Sequence, residues 1–284
     1  MGKKAFDKRV REAMGNQIPN YLTGGKWKGI AYSHIYLKIE DNFIDGKEPI
    51  KCDLKGNLSG SDMKGKYHVG ANHVNSSQIM CMNFFKKFFE KTEWEEYLLT
   101  ALRKIGVQMG SNQIENATFE FEPCHKEGTN FDFYMEMEDG SHISFEIKFT
   151  EPDFGGLNPD KNDPTKYDRK WKEIYSSLVD ECPFLNCSKD EFYGNPRKKY
   201  YQINRNICYA RKGDVVLFLT PKANNACGID RGRNYIDSIT EKYPNIRNIY
   251  WEELVKALMA IIDDVPELRD YYLKFQKKYI DVLS

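Results

Sequence analysis

An α/β domain, with a mixed central sheet between layers of helices, is the architecture this 284-residue chain should adopt. Three patterns point there. Helical spacing of apolar residues governs 76–106, a period of two replaces it from about Ala117 to 150, and the run DVVLFLTP at 214–221 shows no alternation at all. A strand apolar on nearly every residue is buried on both faces, so helices must cover both sides of its sheet.

The elements follow in order. Residues 1–75 are rich in Gly, Lys and Tyr, contain only short apolar patches, and read as an irregular, partly helical N-terminal region; 76–284 form the main domain. SSQIMCMNFFKKFFE (76–90) is a helix behind two serines suited to its N-cap. In TEWEEYLLTALRKIG (92–106), Thr92 and Glu95 offer a capping box, Trp94, Leu98, Leu99, Leu102 and Ile105 make the apolar stripe, and Gly106 ends the helix. ATFEFEP is a short strand closed by Pro123, followed by strands at 130–138 and 141–150 flanking Asp139-Gly140. The loop-rich stretch 151–198 reads as an insertion carrying one helix near 169–181. RKKYYQINRNICYARKG is a helix stopped by Gly213, the run from Asp214 is the buried strand, and helices near 249–263 and 266–281 finish the chain. The expected order is α-β-β-β, insertion, α-β-α-α.

Charge narrows the functional classes. Lys+Arg and Asp+Glu both number 42, so the formal net charge is zero. That balance disfavours adhesion to nucleic acid over the whole surface but permits a local basic groove facing an acidic site. The seven cysteines include no CxxC pair, which fits reduced thiols better than a disulfide framework or a zinc site. The basic N-terminus lacks the apolar core of a signal peptide and no run is long enough to span a membrane, so a soluble cytoplasmic protein is expected.

The two strands around Asp139-Gly140 constrain each other. Phe131, Phe133, Met135 and Met137 share one face of the first; Ile143, Phe145, Ile147 and Phe149 share one face of the second. All are odd-numbered, and paired residues of an antiparallel ladder point the same way, so odd must pair with odd. A two-residue turn at Asp139-Gly140 would pair 138 with 141 and drive four large apolar side chains into water, at roughly 1.5–3 kcal/mol each. A three-residue loop, or a bulge with Gly140 at positive φ, restores the match. Asp132, Glu146 and Lys148 then fall on one side of the sheet, with Asp132 opposite Glu146 or Lys148. The plain alternative is a solvated sheet face. Against it, two carboxylates suit a hard divalent cation, and a nearby ammonium can orient an attacking water and balance phosphate charge.

Phe131-Asp132, followed one strand later by Glu146-Ile147-Lys148, resembles the motif of the PD-(D/E)xK nuclease superfamily, with Phe131 standing where that family carries proline. SSQIMCMNFF, EIKFTEPDFG and YYQINRN are similar to segments of bacterial restriction-endonuclease-like proteins, a likeness covering about 76–220. The resemblance implies a restriction-endonuclease-like core of αβββαβ order. It makes Asp132 and Glu146 metal ligands, the Ile147 carbonyl a third, and Lys148 the catalytic lysine. It further implies Mg²⁺ (or Mn²⁺), double-stranded DNA as substrate, a type II restriction or related defence role, a cognate methyltransferase, and a homodimer. A nuclease-like fold that binds nucleic acid without cutting it is the alternative.

Around that motif the remaining candidates are weaker. Gln202, Arg205 and Tyr209 share a helix face at i, i+3, i+7, and Gln202, Arg205, Lys198 and Lys199 are candidates for nucleic-acid contact, though an ordinary surface helix with basic ends reads equally well. An additional upstream acid is expected; Glu96 is the first choice, with Glu93 and Glu122 beside it. Cys124-His125 is read as an ordinary loop pair. DKNDPTKYD lacks the central Gly and final Glu of a calcium loop, and GGKWKG lacks the spacing of a phosphate-binding loop.

Overall fold

Five strands, lying side by side in chain order, form the central sheet of the computed structural model, which describes residues 3–56, 62–157, 163–194 and 200–284. The chain runs α1 (Lys3–Gly15), a small hairpin β1 (Lys26–Trp27) and β2 (Ile30–Ala31), α2 (Ser77–Phe85), α3 (Glu95–Lys104), then β3 (Ile114–Cys124), β4 (Thr129–Met137) and β5 (His142–Ile147). The stretch between β5 and the next strand holds α4 (Lys166–Lys170), α5 (Ser176–Glu181), α6 (Lys189–Tyr193) and α7 (Tyr201–Ile207). Then come β6 (Val215–Thr220), α8 (Cys227–Thr240), β7 (Ile246–Tyr250), α9 (Trp251–Met259) and α10 (Pro266–Phe275). This is an α/β protein with a mixed sheet flanked by helices: β3, β4 and β5 are antiparallel, while β5, β6 and β7 are parallel.

The hairpin adopts the register its apolar parity demands. Phe133 pairs with Phe145 and Met135 with Ile143, Met137 N–H donates to Ser141 O, and Gly140 takes φ +77° inside a three-residue loop. Phe133, Phe145, Ile147 and Phe149 enter one core together with Phe84 and Phe85 of α2, Leu98 and Leu102 of α3 and Trp251 of α9. The opposite core is built from Ile203 and Ile207 of α7, Ile229 and Ile236 of α8, and Phe154, Tyr175, Val179 and Phe192 from the stretch after β5. β6 serves both: Leu217 and Leu219 face the first, Val216 and Phe218 the second. Its lack of alternation is thereby explained.

Several elements differ from the sequence-based expectation. β3 continues through Pro123, with a register shift between Phe121 and Cys124. β5 ends at Ile147, yet Lys148 N–H still donates to Leu219 O. Thr92 and Glu95 make no capping box: Thr92 begins a 3₁₀ turn, and Glu95 accepts from Lys55 Nζ at 2.7 Å instead. α8 and β7 are absent from the sequence-based expectation, and the last two residues of β7, Ile249 and Tyr250, fall where that expectation starts a helix. α6, with a true capping box at Ser188 and Glu191, was likewise missed.

Candidate active site

β4 and β5 deliver the predicted trio to one end of the sheet. Asp132, Glu146 and Lys148 all line a cleft of about 740 Å³. In the observed register Asp132 stands opposite Glu146, and its Oδ2 accepts the backbone N–H of Ile147 at 2.6 Å. Glu146 is 2% exposed and fully engaged: Lys148 Nζ donates to its Oε1 at 2.7 Å, Gln202 Nε2 reaches the same oxygen, and Asn206 Nδ2 donates to Oε2 at 2.6 Å. Lys148 Nζ also lies 3.5 Å from Gln202 Oε1, and the Lys148 carbonyl accepts from the Trp251 indole at 3.3 Å. The lysine is therefore fixed at both its backbone and its ammonium.

A third carboxylate completes the cluster, and it is Glu120 rather than Glu96. Glu120 is buried on β3 between the pairs Phe119–Phe133 and Phe121–Phe131, which sets it opposite Asp132. Its backbone sits in the left-handed region at φ +51°, an uncommon conformation for a residue with a Cβ. Gln78 Nε2 donates to one of its oxygens at 2.6 Å and Asn130 Nδ2 to the other at 3.1 Å. Glu96 is exposed on α3, whose closest partner is α9, away from the cleft; Glu93 is exposed as well. Glu122 is tied to His125 at 2.8 Å.

The electrostatics follow from this crowding. Burial, then Glu146 and Glu120, push the Asp132 carboxyl well above the usual carboxylate range, although Lys148 and the Ile147 N–H pull the other way. Burial alone would weaken the Lys148 ammonium, but Glu146, Glu151 and Asp132 outweigh it and hold the proton on more firmly than usual. Asp132, Glu146 and Glu151 thus share the Lys148 ammonium. Among the described residues no three His, Cys, Asp or Glu side chains form a ligand set on their own. A Mg²⁺-type ion, which binds through one or two carboxylates and keeps several waters, requires no such set. Asp132 and Glu146, with a backbone carbonyl, suit it.

Helix α7 contributes more than the sequence indicated. Gln202 contacts Glu146 and Lys148 directly, and Asn206, one turn later on the same face, completes the grip on Glu146. That i, i+4 relation to Gln202 was the available signal. Arg205 lies on the neighbouring face, its guanidinium 5.5 Å over the Tyr201 ring. It donates no hydrogen bond among the described residues, and its Nε is buried without a partner. Burial opposes its charge, while Glu146 and Glu127 favour it more strongly. Lys198 and Lys199 lie outside the described residues.

The far wall of the cleft comes from the N-terminal region and the start of α2, including Asp7, His68, His73, Asn75 and Gln78. Asn75 Nδ2 donates to both Asp7 Oδ1 at 3.0 Å and Thr150 Oγ1 at 2.7 Å, which straps that wall to the segment just past β5 that bears Lys148.

A family model described as Restriction Endonuclease associating with ARP (REase-ARP) matches residues 8–280. No curated protein and no solved structure matches the chain. Among the described residues no helix is long and apolar enough to cross a membrane.

Proposed function

Because the chain belongs to the family of restriction endonucleases associating with ARP, we propose that it is a Mg²⁺-dependent nuclease of PD-(D/E)xK type that hydrolyses phosphodiester bonds of double-stranded DNA. The observation that carries this reading is the cluster of Asp132, Glu146 and Lys148 on one sheet face, reinforced by Glu120, inside an open cleft. Asp132, Glu146 and the Ile147 carbonyl would hold the ion; Mn²⁺ would serve as well. Bound there, the ion would acidify a water and offset phosphate charge. Lys148 keeps its proton and so acts as a fixed cation, orienting the attacking water and stabilising charge on the phosphate. Gln202 and Asn206 hold Glu146 in one orientation, sparing the reorganisation a mobile carboxylate would need. Arg205, whose guanidinium has no hydrogen-bond acceptor among the described residues, contacts a DNA phosphate.

The biological setting in this proposal is a type II restriction enzyme or related defence nuclease in the cytoplasm, acting as a homodimer beside a cognate methyltransferase. A supercoiled-plasmid nicking assay tests the chemistry. Wild type should nick with Mg²⁺ and lose activity with EDTA, and Lys148→Ala should lower the rate by roughly 10²–10³-fold, the loss typical of removing one charge-stabilising donor. DNA binding without nicking would favour the non-catalytic alternative. Undiminished nicking by Lys148→Ala would sink the assignment of the site.

A further inference from the structure

The chain has five histidines, and four have a ring partner. His34 and His73 pack against each other and against Tyr32 and Trp27, His125 Nδ1 lies 2.8 Å from Glu122, and His142 Nδ1 lies 3.3 Å from Asp214. His68 differs. Among the described residues neither of its ring nitrogens has a hydrogen-bond partner and its ring stacks on nothing, yet it lines the same cleft as Asp132, Glu146 and Lys148. Its backbone, by contrast, is anchored. The His68 N–H donates to Gln78 Oε1 at 2.9 Å, while Gln78 Nε2 donates to the Lys66 carbonyl at 2.9 Å and to Glu120 at 2.6 Å. One glutamine thus couples the position of an exposed imidazole to the carboxylate standing opposite Asp132.

We infer that His68 is the general acid that protonates the leaving oxygen of the cleaved phosphodiester, a role that rests on the nuclease reading above. The chemistry requires such a donor. As the water oxygen bonds to phosphorus, the bond from phosphorus to the leaving oxygen breaks and that oxygen departs as an alkoxide. Lys148 Nζ is engaged by Glu146 and Gln202, and Glu146 is occupied by three donors. Histidine is the side chain most often placed to make such a transfer. His68 passes its proton to the alkoxide, making a hydroxyl; the water loses its own proton to solvent, and the neutral imidazole regains one from solvent. The strap from Asn75 to Asp7 and Thr150 holds the wall bearing His68 against the segment just past β5 that bears Lys148.

The test exploits leaving-group chemistry. After the wild-type cut is mapped, two DNA duplexes are prepared, one natural and one with sulfur replacing the leaving oxygen; a thiolate departs without protonation. His68→Ala and His68→Gln should both cleave the natural duplex roughly 10²–10⁴-fold more slowly than wild type, the range for a lost general acid, and cleave the sulfur duplex at the wild-type rate. Equal losses on both duplexes would assign His68 to DNA contact and overturn the inference, as would no loss on either. Failure to find any wild-type cut at the mapping stage would overturn the nuclease reading itself. Because the His68 ring is exposed and stacks on no ring among the described residues, the variants should melt with wild type, and a matched melting temperature separates a rate loss from unfolding.

Discussion

Asn206 shows how a neutral side chain can govern a charged site. Among the described residues its amide is the only donor to Glu146 Oε2, and Glu146 is only 2% exposed. Replacing it with leucine leaves that oxygen buried and unpaired, at a cost of about 1–3 kcal/mol or more for a charged acceptor. Asn206→Leu should therefore lower the melting temperature and also reduce plasmid nicking at least tenfold, whereas loss of stability without loss of nicking would show that Glu146 needs no orientation. The legible part of the site was the part encoded by alternation: odd-numbered apolar residues on both strands fixed the register, and the register brought Asp132 to Glu146. Glu120 was not legible. In FEFEP, Glu120 and Glu122 are equivalent to a period-two reading, and only the left-handed backbone at Glu120 and the amides of Gln78 and Asn130 distinguish them. Glu96 looked attractive because it precedes the strands on a helix, but the α3 stripe turns its apolar face inward and leaves Glu96 in solvent.

Helix α8 was missed because glycines interrupt its apolar stripe, and those glycines have a packing reason. A Cβ on Gly232 would fall 2.2 Å from the Phe154 ring, and one on Gly228 would fall 2.5 Å from the Pro152 carbonyl. The chain leaving Lys148 passes so close over α8 that only glycine fits beneath it. An exposed helical Gly→Ala change ordinarily stabilises by about 0.5–1 kcal/mol. Here the sign should reverse: Gly232→Ala overpacks the second core and should destabilise by about 1–3 kcal/mol, read as a lower midpoint in urea unfolding. A neutral or raised midpoint would mean Phe154 swings aside freely. β7 escaped detection for a related reason. It is an edge strand of five residues whose apolar positions run directly into α9, so helix and strand periods overlap at Ile249 and Tyr250.

The whole molecule is closed by its ends. Phe6, Val10 and Met14 of α1 share one apolar core with Val282 and Leu283, and Arg9 donates to the carbonyls of Leu283 and Ser284. Near this junction the half-buried Lys278 packs against the Asn42 carbonyl and side-chain oxygen, between the rings of Tyr36 and Tyr279 at 5.3 and 5.1 Å. Burial pushes its ammonium down to about 7 from an ordinary 10.5. Between those values the unfolded chain binds more protons than the folded one, so the cost of burying this charge is full below about pH 7 and is relieved as pH rises toward 10.5. Stability should accordingly climb across that window, and Lys278→Met should flatten the climb in melting temperature measured from pH 6 to 10. A variant with the wild-type slope would mean that the two aromatic faces and Asn42 keep the lysine charged throughout.

The alternation of β5 has a consequence for how this protein can fail. Phe145 and Ile147 anchor one layer while Glu146 and Lys148, interleaved with them, equip the cleft on the other. The two assignments share one phase, so the strand cannot drift by a residue and lose only chemistry or only solidity. An alanine inserted between Ser144 and Phe145 should abolish soluble expression altogether. The same insertion between Asp139 and Gly140, where the loop absorbs it, should leave both solubility and nicking in place. A soluble but inactive product of the first insertion would contradict this. Graded decline is closed to this strand; it works entire or not at all, and sequence change can tune the site only from the helix and loops that surround it.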